Sequence, residues 1–85
     1  MSGIAFKQTP CEPGSGRLRD SSARVNSEHY MTVSAARYGD GVELGLHSDM
    51  VQSLMVFTAE QARSVTAELL ACADARYAAK GVHHG

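Results

Sequence analysis

Leu54-Met55-Val56-Phe57-Thr58-Ala59-Glu60-Gln61 decides the fold of this chain. The first four residues are apolar without a break, which suits a strand covered on both faces, although periodicity alone leaves a buried helix open. The next four close the question. Thr58 and Gln61 have capping-box spacing: the Thr58 hydroxyl accepts from the N–H three residues on, and the Gln61 carboxamide reaches back to the Thr58 N–H. A helix that begins there leaves Leu54–Phe57 outside it, as an extended segment. Phe57 and Ala62 then hold the staple positions flanking the cap.

Downstream, the pattern predicts a helix from Ala59 to about Lys80, roughly 30 Å at 1.5 Å per residue. Ala62, Val65, Leu69, Cys72 and Ala73 recur at three- and four-residue spacing, and Thr66, Leu70 and Tyr77 widen the stripe. Arg76 and Lys80 set positive charge at the negative end of the helix dipole, and Gly81 suits the left-handed position after the last turn. Val82 would close the domain and residues 83–85 would fray.

Upstream, His29, Met31, Val33 and Ala35 alternate with Tyr30, Thr32, Ser34 and Ala36, the period of a half-buried strand. Tyr38-Gly39-Asp40-Gly41 is a hairpin signal, read as a tight type I′ turn. Val42, Leu44 and Leu46 continue as a second alternating strand. A loop of Asp40-Gly41 would pair Ala35 with Leu46, and a loop of Gly39-Asp40 would pair Val33 with Leu46. Only a loop with an even number of residues keeps both apolar sets on one face. Ser48-Asp49 marks the next turn. The domain, residues 28–82, thus reads as α+β: a three-stranded antiparallel meander and one long C-terminal helix laid across a face.

Residues 1–27 hold both prolines and no apolar period, so they are expected to form a flexible N-terminal tail. Everything before Met31 then reads as a dispensable extension, as if the start had been set upstream.

At 85 residues and 9.1 kDa the chain has room for one small domain. Eight Lys and Arg against nine Asp and Glu leave a net charge of −1, which argues against a chain built to wrap nucleic acid or coat an anionic membrane. No stretch approaches the ~18 apolar residues of a membrane span, and no basic-then-apolar leader opens the chain. A cytoplasmic protein is expected, with Cys11 and Cys72 unbridged. No repeat of solenoid period is present.

Chemistry is sparse. Cys11, His29, His47, Cys72, His83 and His84 fall in no ligand spacing, so no metal or cofactor is expected. His47-Ser48-Asp49 names three catalytic residue types, but sequence neighbours do not assemble a relay. Gly14-Ser15-Gly16-Arg17 lacks the rest of a phosphate loop.

The expected domain is small, and one helix covers one sheet face, so a partner is expected. Tyr30, Tyr38, Met55, Phe57, Ala67 and Ala71 are the candidate partner surface. A homodimer through the second sheet face, a strand edge or the alanine side of the helix would supply the missing burial. The functional expectation is a non-enzymatic protein-binding chain of a bacterium or its phage, for instance an inhibitor occluding a larger complex such as a host defence machine. The rival is a nucleic-acid-binding accessory protein using Arg17, Arg19 and Arg24 as a flexible arm beside an exposed sheet.

Overall fold

The computed structural model describes residues 3–84, the side chains of 80–84 excepted. Five strands follow one another as an antiparallel meander: β1 (Lys7–Thr9), β2 (Arg17–Arg24), β3 (His29–Ala36), β4 (Gly41–Ser48) and β5 (Gln52–Thr58). A single helix, α1 (Ala59–His84), follows β5 with no spacer. The α+β class, the antiparallel sheet and the one C-terminal helix agree with the sequence reading. Three expected strands become five, and the two additional ones lie inside residues 1–27, expected to be a flexible tail.

The cause is visible in β2. Its side chains are Arg, Leu, Asp, Ser and Ala, with no apolar alternation to report a strand. What holds it is backbone pairing with β3, Arg24 opposite Tyr30 through Arg19 opposite Ala35, with a bulge between Arg17 and Arg19. Small residues do the packing: Ser21 and Ala23 are buried, and the Ser21 hydroxyl donates to the Val33 carbonyl at 3.3 Å. The Glu12–Ser15 turn, closed by Ser15 N–H to the Glu12 carbonyl at 3.0 Å with Pro13 inside it, returns the chain from β1.

The β3–β4 connection corrects a second expectation. Paired residue numbers total 77, so Ala35 faces Val42 and Met31 faces Leu46; neither expected pairing occurs. Four residues, Arg37 to Asp40, form the loop, and Gly41 already belongs to β4. A type I′ turn needs positive φ at both central residues, whereas only Gly39 has it, at 80°. The even loop length stands, and with it the shared apolar face.

Register across β2–β5 sorts the side chains into two faces. Ser21, Ala23, Met31, Val33, Ala35, Val42, Leu44, Leu46, Met55 and Phe57 share one, here the Val33 face. Tyr30, Thr32, Ser34, Ala36, Glu43, Gly45, His47, Leu54 and Val56 share the other, the Tyr30 face.

The cap forms as its spacing predicts. Gln61 N–H donates to the Thr58 hydroxyl at 3.1 Å, and Thr58 N–H donates to the Gln61 side-chain oxygen at 2.9 Å. Ala59 N–H adds a 3.4 Å bond to Asp40. The helix then runs 26 residues, about 39 Å at 1.5 Å per residue. It continues through Gly81, which does not terminate it, and through His84, so 83 and 84 are helical where fraying was expected. The expectations for the side chains of Lys80, His83 and His84, and for Gly85, lie outside the described residues.

The helix does not lie across a face. Among the described residues it approaches only β4 and β5. With no residue between strand and helix, the chain lacks the 2–6-residue loop that usually folds a helix back onto its sheet. The molecule measures 54 × 30 × 22 Å with a radius of gyration of 15.6 Å, against about 12 Å for a compact chain of this length.

Candidate functional site

The surface left bare by this geometry is the principal candidate site. Among the described residues Ala23 alone is a buried apolar side chain, at 7% exposure. On α1, Ala62 is half-buried against the sheet end, Val65 borders an open cleft with Met55 and Phe57, and Leu69, Leu70 and Tyr77 face outward, Leu69 at 67% exposure. On the Val33 face, Val33, Leu44 and Met31 are half-buried at the centre, and Leu46 and Met55 are exposed beside them. Val42 lies beneath the first helical turns, where it lines a shallow cleft with Ala62 and Thr66. Helix stripe and sheet face therefore meet at one corner and diverge.

The total accessible area is 6,923 Å². A folded monomer of 9.1 kDa exposes about 4,900 Å² by the usual size scaling, so roughly 2,000 Å² is in excess. Excess of that size matches the per-partner area of large, obligate interfaces.

The six residues expected to form one partner surface divide. Met55 and Phe57 lie on the Val33 face, and Ala67 and Ala71 are exposed on α1. Tyr30 is on the opposite face, and Tyr38 stands in the β3–β4 loop.

Tyr30 belongs to a second constellation that the sequence reading missed. Its ring stacks on His47, with centroids 4.5 Å apart and planes 10° from parallel. His47 Nε2 and the Thr32 hydroxyl lie 3.2 Å apart, within hydrogen-bond distance, and the imidazole reaches Thr32 by crossing over Gly45. A Cβ at Gly45 would stand 2.6 Å from His47 Nε2 and would collide with the Thr32 hydroxyl as well. The signal was present: a glycine inside a strand marks a close approach. His47 Nδ1 is enclosed and has no hydrogen-bond partner among the described residues.

At the same end of the sheet, Val25, His29, Met31, Leu46 and Val51 line an open depression of about 460 Å³. Asn26 builds its rim, its side-chain oxygen accepting from the Glu28 and His29 N–H groups at 2.9 Å each.

The catalytic residue types do not converge. The Ser48 hydroxyl donates to the Val51 carbonyl at 3.2 Å and accepts from the Val51 N–H at 3.1 Å, so it is spent on its own turn. Among the described residues no group of three His, Cys, Asp or Glu side chains could hold a metal ion, and Cys11 and Cys72 are free thiols.

The three arginines are not an arm. All lie on β2. Arg17 faces Asp20 at 3.4 Å and Glu43 at 3.7 Å, which offsets its charge locally. Arg24 donates to the Asn26 and Ser27 carbonyls at 3.4 and 3.3 Å. Arg37, which the sequence reading passed over, is the residue that ties the β1–β2 loop down. Its Nε donates to the Ser15 carbonyl at 2.7 Å, and its Nη2 donates to the carbonyls of Glu12 and Arg17, each at 3.1 Å.

No family model, curated protein or solved structure matches the chain. No helix of the described residues is long and apolar enough to cross a membrane.

Proposed function

We propose that the protein acts without chemistry of its own, by docking the α1 stripe and the adjoining Val33 face against another protein. The observation that carries this reading is the bare apolar surface: Val65, Leu69 and Leu70 on the helix, Leu46 and Met55 on the sheet, and about 2,000 Å² beyond what a compact chain exposes. The surface is aliphatic at its centre, so the partner it fits offers an apolar helix or strand face. Nucleic acid wants the opposite: an unencumbered basic surface, where this chain has Arg17 between two carboxylates. A chain of this size and shape could occlude a working surface on a larger assembly, as an inhibitor does.

The test places a photo-crosslinking residue at Leu69, at Tyr77 or, as an exposed control, at Glu28, in cells of the native host. One adduct from both helix positions, absent from the control and lost when Leu70→Asp is added to the Tyr77 probe, supports docking. Equal labelling from all three positions, or none from the helix, overturns it.

A further inference from the structure

The sheet has two edges, and they are built differently. β1 is three residues long and opens with Lys7, the short, charged kind of edge that discourages pairing. β5 is seven residues, Gln52 to Thr58, with no charge, no proline and no glycine. Its outer row of backbone N–H and C=O groups has no ladder partner in the sheet order. Leu54, Met55 and Val56 at its middle are 64%, 57% and 60% exposed; Gln61, Ser64 and Val65 of α1 border Met55, Val56 and Phe57 across an open cleft without burying them. Such an edge is a template for another strand.

We propose that a second copy of this chain supplies that strand, β5 pairing antiparallel with β5 to give a continuous ten-stranded sheet. Symmetry sets the register. A two-fold axis along the sheet normal keeps each face on its own side, so paired residue numbers must total an even value. Full overlap of 52–58 puts Met55 opposite its own copy and Leu54 opposite Val56. The two Val33 faces become one surface and both helices start on the same side of it, leaving the docking surface doubled rather than consumed. No like charges meet along the seam, because 52–58 carries none. The excess area of about 2,000 Å² per chain is ample for a dimer seam and a docking surface together.

The experiment uses the full chain. Sedimentation equilibrium is expected to give twice the 9.1 kDa mass. Hydrogen exchange is expected to show the outward β5 amides as slow as those bonded to β4. Leu54→Lys with Val56→Lys sets lysines opposite each other across the axis and is expected to return a monomer with unchanged far-UV dichroism and fast outward amides. Mixing that variant with Leu54→Glu plus Val56→Glu is expected to restore a dimer containing one of each. A monomeric wild-type chain, or a dimer whose outward β5 amides exchange freely, overturns the proposal. Either result leaves the docking reading standing if the Leu69 adduct still forms, so the two fail separately.

Discussion

At Gly45 a hydrogen stands where any other residue would place a carbon between the Thr32 hydroxyl and the His47 ring. The stack of Tyr30 on His47 depends on that vacancy. Gly45→Ala is expected to drive the imidazole off the sheet and to destabilise the chain by about 1–3 kcal/mol, the usual range for an overpacked site. Urea unfolding measures the loss, and Tyr30 fluorescence reports the broken stack. An unchanged midpoint with an intact stack would show that His47 has another way across. Arg37 sets a different case. Its three carbonyl contacts bind a loop that has no apolar anchor of its own. Arg37→Ala is expected to cost about 1–2 kcal/mol, below the full worth of three charge-assisted bonds because the guanidinium is partly in water. Amides of residues 12–17 should exchange faster in the variant. Arg37→Lys should rescue little, since a single ammonium cannot reproduce the guanidinium fork.

Among the elements, the capping box at Thr58 allows the clearest forecast. Thr58→Ala removes the acceptor for Gln61 N–H and is expected to cost about 1 kcal/mol, with helical dichroism lost first from the α1 start. Legibility in the sequence divides along the same lines. β3, β4, β5 and the helix start were readable because alternation and a cap are local signals. β1 and β2 were not, because Ser21, Ser22 and Ala23 pack by being small and the strand is specified by its neighbour's backbone. The hairpin register escaped for a related reason: the apolar pattern constrains loop parity but not loop length. Of the β5 residues singled out for the partner surface, Met55 is exposed and Phe57 is half-buried, and grouping them with Tyr30 required the face assignment that only the full register supplies. Arg37 carries no sequence signal at all, since its partners are three main-chain carbonyls more than 19 residues away.

For the molecule as a whole, the sheet is more interdependent than a core-plus-tail description allows. A chain beginning at Met31 would lose β1, β2 and the start of β3, turning β3 into a second long, unguarded edge. Deleting residues 1–30 is therefore expected to yield aggregation on purification, seen by light scattering, with loss of β-sheet dichroism. A monodisperse product with full sheet signal would contradict the ladder between β2 and β3. The elongated form has its own consequence at the junction of β5 and α1. A strand that is greasy on both sides can slip along its neighbour without exposing anything new, so side-chain pattern alone holds it loosely. Here Thr58 is at once the last rung of that strand and the first cap of the helix, and Asp40 reaches over from the adjoining loop to grip Ala59. Sliding by even one step would tear the cap apart. The rod thus works as a clasp, holding in phase the ribbon that the rest of the sheet leaves free to drift.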